Sequence, residues 1–456
     1  MVVSAIGATP MLADARRGEP DLTSRILTDA VAQGLVRFDA SGQVESGLAE
    51  RWTVIDDGMS YIFRLRDLEW TDGAPVTAEQ VVTLLKRQIA PQSRNPLAPF
   101  LTAIDDIVVM TPQVIEIRLQ RPRPDLLKLF AQPEMALLRI RPPGGSGPFR
   151  ILRGRRAPLL QPAPDPDRAD PDEDRKPAPE DDVLLIGERA ARAIARFAHH
   201  DSDLVTGGSF ADWPLIATSG TAAANVRVDP AAGIFGLAVV DRSGFLGDPA
   251  NRTAVAQALD RTAILGAVSA GWAPTEQLLP EQLDSAAPPT SPAWTQLAAG
   301  DRIAGARARV ASWAVKPLTL RIALPHGPGA TLLFGQIAAS LIGIGIAPER
   351  VGMDAPADLR LIDRVAPYDS ARWYLATACV VCSDAAQQAL EAARQAPTPA
   401  ERAQRIAAAD IALTEDAAFI PLARPLRWSL VALRLGAWQP NVRAWHPLNR
   451  LRTAPN

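Results

Sequence analysis

Residues 48–89 decide the fold, and they read LAERWTVIDDGMSYIFRLRDLEWTDGAPVTAEQVVTLLKRQI. Two strand-like runs, residues 51–55 and 60–66, flank Asp56-Asp57-Gly58, whose residue types tolerate the geometry of a tight turn. In the second run Tyr61, Phe63 and Leu65 stand at alternate positions and therefore share one face of the strand. The pattern predicts a hairpin with one buried face.

An amphipathic helix is predicted after a second turn at residues 70–73. Thr77 is a suitable N-cap, and Gln80 stands three residues later, as a capping box requires. Val81, Leu85 and their neighbours recur at helical spacing and mark the face that is buried. A hairpin packed on a helix follows from these spacings, and no chemistry follows from them.

The order of residue types in this stretch is more specific than its spacing. The series GLAERW, DDG, YIFRLRD and W-x-D-G-x-PVTAEQVV resembles the signature of family 5 of the bacterial extracellular solute-binding proteins, the peptide/nickel/opine class. Residues 255–264 (VAQALDRTAI) resemble a second, distant part of the family pattern. Residues 34–37 (GLVR) and 145–149 (GSGPF) also match, so the resemblance extends over nearly the whole chain.

The resemblance implies an α/β fold of the type II periplasmic-binding-protein kind, with two lobes joined by a hinge and a small inserted α+β domain. Lobe I would combine residues 1–40, 145–236 and 425–456. The insert would be residues 41–144, and lobe II residues 237–424. In the family, two such lobes close over a ligand, and the transporter recognises the closed form.

The function implied is that of a substrate-binding component of an ABC importer, located in the periplasm, monomeric and working with a membrane permease. A peptide or a similar small solute is the implied ligand. A nickel chelate, an opine, haem or a sugar is the alternative within binding proteins. A cytosolic ligand-sensing regulator of the same fold is an alternative of another class, although the helix-turn-helix it would carry is not seen.

The composition is that of a globular protein. A chain of 456 residues exceeds the ~250–300 at which single cores stop growing, so two or three domains are expected. The net charge of -2 gives no basic surplus for nucleic acid. Residues 1–6 (MVVSAI) lack the basic and apolar regions of a secretory signal. We expect an export signal that this sequence does not contain, the alternative being a cytosolic protein without one.

Catalytic and metal-binding motifs are not recognised in the sequence. The four histidines show no helical metal-pair spacing, and no nucleophile elbow or paired catalytic carboxylates stand out. Residues 157–182 are rich in Pro, Asp and Glu, which predicts a solvated loop. A calcium site there is the alternative, but the acidic residues lack the order of a calcium-binding loop. We therefore expect no metal, no cofactor and no enzymatic activity.

The two cysteines, Cys379 and Cys382, form a Cys-x-x-Cys pair. A structural disulfide is the leading interpretation in an oxidising compartment. Two free thiols, and a redox or metal site, remain as alternatives.

The candidate ligand-binding residues lie in residues 361–375 (LIDRVAPYDSARWYL). In the resembled family, peptide-binding members use an acidic residue of this loop to hold the amino terminus of the ligand. Asp369 matches one such position, whereas Ala366 stands where another acid is expected. Arg364 is the candidate for a carboxylate or phosphate, and Tyr368 and Trp373 for the pocket wall, the alternative for Trp373 being a core position. Ser146 of the glycine-rich segment is a further candidate.

Overall fold

The computed structural model describes residues 1–140, 143–152, 157–163, 178–315 and 317–452. They form two compact units, each described by itself below. The first unit comprises Met1–Gly208, Ser219–Pro230 and Trp428–Asn456, and the second comprises Ser209–Thr218 and Ala231–Arg427. The finer division into two lobes and an insert stays a prediction.

The strands and helices follow one another in a mixed α/β order. The strands are β1 (Val2–Ile6), β2 (Val36–Phe38), β3 (Val44–Ser46), β4 (Ala49–Ile55), β5 (Ser60–Leu65), β6 (Ile104–Thr111), β7 (Val114–Leu119), β8 (Arg139–Ile140), β9 (Pro143–Gly144), β10 (Phe149–Leu152), β11 (Leu159–Pro162), β12 (Val183–Glu188), β13 (Leu204–Ser209), β14 (Val226–Asp229), β15 (Gly233–Val239), β16 (Thr319–Ala323), β17 (Ala347–Val351), β18 (Leu359–Val365), β19 (Phe419–Ala423) and β20 (Arg427–Val431). The helices are α1 (Leu22–Val31), α2 (Ala78–Ile89), α3 (Leu126–Phe130), α4 (Ala190–Ala198), α5 (Pro214–Ala217), α6 (Pro249–Ala258), α7 (Arg261–Gly266), α8 (Ala299–Ala311), α9 (Pro328–Gly343), α10 (Ala371–Ala378), α11 (Asp384–Gln395) and α12 (Pro399–Asp416).

The first unit is built on a seven-stranded sheet with the order β10-β11-β12-β1-β13-β20-β14. Strand β1 lies at its centre and runs parallel to both β12 and β13. Val3 and Ala5 of this strand are fully buried, as expected for a central parallel strand covered on both faces.

A separate antiparallel sheet, β4-β5-β7-β6, carries the hairpin predicted from residues 51–66. Tyr61, Phe63 and Leu65 are all buried on one face of β5, which confirms the predicted alternation. The turn uses positive φ angles at Asp57 and Gly58. Thr77 and Gln80 cap α2 reciprocally, as the capping-box pattern predicts.

The second unit is built on a five-stranded sheet with the order β17-β16-β18-β15-β19. Strand β15 is buried along its whole length and pairs antiparallel with β18 and β19. Asp248-Pro249 is a residue pair that favours a helix start, and helix α6 begins at Pro249 with Asp248 as its N-cap.

Three local patterns predict more than the structure shows. The apolar spacing of residues 23–36 predicts a helix that ends near Gly34. In the structure α1 ends at Val31, and Gly34 serves close packing, since a Cβ there would meet the carbonyl oxygen of Phe130 at 2.4 Å.

Within the segment expected to be a solvated loop, Leu159–Pro162 is a strand paired with β10 and β12. The acidic residues 164–177 lie outside the described residues, so the calcium alternative stays untested.

Residues 398–401 (TPAE) have the pattern of a capping box. The side chain of Thr398 accepts a hydrogen bond from the Glu401 amide, which is half of that motif.

Candidate functional site

Four of the five predicted ligand-binding residues lie together in the second unit, on β18, the loop after it and α10. Arg364 is exposed near the end of β18, Tyr368 is buried in the loop, and Asp369 is half-buried beside it. Trp373 lies in α10 with only 5% of its surface exposed. The fifth, Ser146, belongs to the first unit.

The start of this loop is positioned by the pairing of β18 with β15. Ile234 is the register partner of Arg364, and the Ala366 amide donates to the Ala232 carbonyl at 2.8 Å. Gly233 permits this approach, because a Cβ there would lie 2.1 Å from the carbonyl oxygen of Arg364. Ala366, which stands where the resembled family has an acid, is buried and carries no carboxylate. The carboxylate of this loop is that of Asp369.

The far end of the loop is held by Asp284, a residue distant in the sequence. Its carboxylate accepts hydrogen bonds from the Ala371 amide at 2.7 Å and the Ser370 hydroxyl at 2.9 Å. Arg402 of α12 pairs with the same carboxylate and also donates to the Ser370 hydroxyl at 2.9 Å. Asp284 therefore acts as a side-chain cap for the first turn of α10.

Buried charges surround the loop. Arg427 donates to Asp363 of β18 at 3.0 Å, and burial of that carboxyl group raises the pKa of Asp363 even though Arg427 opposes the shift. Burial also lowers the pKa of Arg372 on α10, next to Tyr368. An ion pair and an arginine, both shielded from water, therefore lie on the two elements that flank the loop.

Arg424, which directly follows β19, forms a further set of hydrogen bonds in the second unit. It donates to the carbonyl oxygens of Gly233, Leu278 and Gln277, and burial lowers its pKa to about 10. Trp272 donates its ring N–H to the Arg424 carbonyl at 2.9 Å. These bonds tie the residue after β19 to the segment that follows α7 and to the start of β15.

The aromatic residues of α10 pack on each other. The rings of Trp373 and Tyr374 have centroids 5.1 Å apart and meet edge to face. Both side chains are buried, so Trp373 contributes to the core of the second unit. Its predicted place in a ligand pocket stays a prediction.

The glycine-rich segment of the first unit is a close-packing turn. A Cβ at Gly145 or Gly147 would lie 2.5–2.6 Å from the backbone of Val31 and Ala32 at the end of α1. The Ser146 carbonyl accepts a hydrogen bond from the Gln33 side chain at 2.6 Å, while the Ser146 hydroxyl is buried and makes no hydrogen bond to the described residues. The hydroxyl of Ser146 is thus the candidate ligand-binding group of this segment.

Cys379 and Cys382 are joined as a disulfide, with Cα atoms 5.2 Å apart. The pair directly precedes α11, whose N-cap is Ser383. Asp416 accepts a hydrogen bond from the Ser383 amide at 3.0 Å, which ties the end of α12 to the start of α11.

Neither a metal-binding cluster nor a membrane-spanning helix is found among the described residues. Within the described ranges, no group of three or more His, Cys, Asp or Glu side chains is arranged to hold a metal ion. His446 instead pairs with Asp229 at 3.1 Å in the interior of the first unit. Among the described helices, none is both long and apolar enough to cross a bilayer.

The family follows from a match of residues 43–326 to the model described as "Bacterial extracellular solute-binding proteins, family 5 Middle". This match covers more than half of the chain, and the chain belongs to the bacterial extracellular solute-binding proteins, family 5. The predictions of the family and of a binding protein rather than an enzyme are thereby confirmed.

Curated relatives match over short segments only. The "Probable deoxycholate-binding periplasmic protein YgiS" of Escherichia coli is 40% identical over 93 residues, which are 20% of this chain and 17% of the relative. The "Glutathione-binding protein GsiB" of Salmonella typhi is 27% identical over 143 residues, 29% of this chain and 28% of the relative. These matched segments span less than a third of each relative.

Solved structures match over almost the full length. The murein tripeptide binding protein MppA of Escherichia coli superposes with a TM-score of 0.82 at 18% identity, covering 98% of this chain and 96% of that one. Haemophilus influenzae OppA in complex with RPPGFSPFR gives 0.80 at 15% identity, covering 99% and 97%. Both comparisons show the fold, and they confirm the predicted periplasmic-binding-protein class.

Proposed function

We propose that this protein is the periplasmic substrate-binding component of an ABC importer, which captures a peptide or a similar small solute and delivers it to a membrane permease. The observation that carries the proposal is the membership in family 5, together with the fold shared with MppA and OppA. The names of relatives span oligopeptides, glutathione and deoxycholate, so the family alone leaves the solute class open.

The loop after β18 is the proposed ligand contact of the second unit. Asp369 would bind a ligand ammonium group, and Arg364 a ligand carboxylate, so that a zwitterionic peptide is held at both charged ends. Tyr368 and Trp373 would offer apolar surface beside them. Ser146 is a separate proposed ligand contact, which belongs to the first unit. The anchors at Asp284 and Arg424 support this role because they keep the loop in one conformation before a ligand arrives.

A second candidate is an anionic solute such as an opine or a metal chelate. Buried Ala366 replaces one acidic position of the resembled family. Loss of that acid weakens the hold on an ammonium group, whereas Arg364 stays suited to a ligand carboxylate.

Thermal-shift screening with short peptides, opines and nickel chelates tests these alternatives. A ligand that binds only the folded state at 100 times its Kd stabilises it by about 2.7 kcal/mol and raises the melting temperature. We expect Asp369→Asn to weaken peptide binding at least tenfold and to leave binding of a solute without an ammonium group unchanged. Arg87→Gln, an exposed substitution on α2, is the control. No shift with any solute class would contradict the proposal.

Delivery to a permease is tested in cells. Uptake of the ligand identified by the screen should fall in a strain that lacks this protein and return when the wild-type protein is restored. Uptake that does not depend on the protein would contradict the importer role and leave solute binding as a separate result.

A further inference from the structure

The first unit contains a cavity of about 470 Å³, and every residue that lines it belongs to that unit. Its walls are residues 11–20, Ser24 of α1, Leu84 and Gln88 of α2, and residues from 133 to 139. The volume falls within the roughly 300–1,000 Å³ of small-molecule sites. None of the residues that line this cavity was predicted from the sequence to bind a ligand.

The walls are held together by hydrogen bonds. Residues 11–20 are fastened to α1 where the Met11 amide donates to the Ser24 hydroxyl at 3.2 Å. The same segment is fastened beside α2 where the Arg94 amide donates to the Arg16 carbonyl at 2.9 Å. Because the segment is hydrogen-bonded both at Met11 and at Arg16, it forms a wall of the cavity without a bound ligand.

The opposite wall is joined by a buried amide. Asn95 donates to the Gln88 side chain at 3.0 Å and to the Glu134 carbonyl at 2.9 Å. These bonds link the last turn of α2 to the residues that lead into β8. The amide of Asn95 and the side-chain oxygen of Gln88 are thus hydrogen-bonded within the protein. The apolar side chains of the lining are the ones available to contact a ligand.

Much of the lining is apolar. It includes Met11, Leu12, Pro20, Leu84, Pro133 and Leu138. Met11 is 67% exposed and Leu12 is 36% exposed. Two adjacent large apolar side chains on the wall of a cavity and open to solvent mark a surface suited to an apolar molecule.

The charged residues of the lining are three acidic and three basic ones: Asp14, Glu19, Glu134, Arg16, Arg17 and Arg139. Glu19 is engaged in an interaction of its own. Arg16 binds Asp14 at 2.6 Å, and Arg139 binds Asp72 at 2.9 Å. Glu134 binds Arg25 at 2.5 Å. Arg17 is exposed and forms no ion pair with the described residues, so its guanidinium is open to an anion.

We propose that this cavity binds an organic anion with an apolar body, whose apolar part fills the cavity and whose anionic group meets Arg17. The inference goes beyond the proposed function, because it concerns a site formed by the first unit alone. Its test therefore uses a different readout from the screen for the transported solute.

Two dyes probe the site on the intact protein: 8-anilinonaphthalene-1-sulfonate, an apolar anion, and N-phenyl-1-naphthylamine, its uncharged counterpart. We expect saturable fluorescence enhancement with both dyes. Ala13→Trp, which places a large ring in the cavity, should abolish both signals. Arg17→Gln should weaken the anionic dye about threefold and leave the neutral dye unchanged, since one exposed ion pair is worth up to about a factor of five. Arg87→Gln is the matched control, an exposed arginine outside the lining.

Circular dichroism and the melting temperature verify that each variant is folded. If Ala13→Trp does not fold, Leu138→Gln makes the lining polar with little change in size and should weaken both dyes. Three results would each overturn the proposal: unsaturable binding of either dye, binding of either dye that is unchanged in the folded cavity variant, or binding of the anionic dye that is unchanged in Arg17→Gln.

Discussion

At the scale of single residues, the groups that position the candidate site come from far along the sequence. Asp284 holds the first turn of α10, and Arg402 of α12 pairs with it. Neither residue stands in a recognisable pattern, because a carboxylate that caps a helix from a distant loop leaves no signal at short spacing. Only the tertiary structure therefore shows that Asp284 and Arg402 hold the start of α10.

Replacement of Asp284 by Ala should lower the free energy of unfolding by about 2–3 kcal/mol, since it removes two hydrogen bonds and leaves Arg402 without its carboxylate. Urea denaturation measures the change. Arg405→Ala, which breaks the exposed pair with Glu401 on the same helix, should cost about 0.5 kcal/mol or less. Equal effects of the two substitutions would show that the Asp284 anchor contributes nothing special.

Asp29 of α1 predicts a pH dependence. Burial raises its pKa to about 6, although the ring N–H of Trp445 donates to it at 3.2 Å. The unfolded chain has a pKa of about 3.9 for this group, so the folded state binds more protons between these values. The contribution of Asp29 to stability is therefore greatest below pH 4 and falls as the pH rises to about 6, by an amount on the order of 3 kcal/mol.

Asp29→Asn isolates this effect, since the amide keeps an acceptor for Trp445 and does not titrate in this range. The difference in unfolding free energy between variant and wild type should grow between pH 4 and pH 6 and then level off. A difference that is independent of pH would refute the assignment.

At the scale of elements, the backbone of β15 and β18 decides where the candidate loop begins. Gly233→Ala should lower the unfolding free energy by 3 kcal/mol or more, because its Cβ would lie 2.1 Å from the Arg364 carbonyl. Gly335→Ala in α9 is the matched control: its Cβ would meet no atom within 4 Å, and we expect a gain of about 0.5–1 kcal/mol from helix propensity. A tolerated Gly233→Ala would show that the strand pair adjusts and that the loop is less rigidly placed.

At the scale of the whole molecule, each unit has its own sheet and its own core. A chain with two such units is expected to melt in two calorimetric transitions or in one broadened transition. In the second unit, Arg252 is fully buried, pairs with Asp416 at 2.7 Å and donates to the carbonyl of Leu246 at 2.8 Å. Loss of this arginine would leave a buried carboxylate with one partner fewer.

Arg252→Met should therefore destabilise the second unit by about 3–5 kcal/mol. Differential scanning calorimetry should show one transition moving to lower temperature while the other stays. Asp29→Asn, placed in the first unit, provides the reciprocal control. If both transitions move together for either variant, the two units do not unfold separately.

The sequence by itself determined the family, the α/β class, the hairpin of β4 and β5 and the capped helix α2, because these depend on short-range periodicity and on an ordered series of residue types. It also predicted that residues 361–375 bind the ligand, and this stays a prediction. The tertiary structure alone decided how Asp284, Arg402 and Arg424 support that stretch, why Gly34 ends no helix, and where the first unit leaves a cavity. These features depend on which distant residues approach each other in space, and no local spacing encodes that approach.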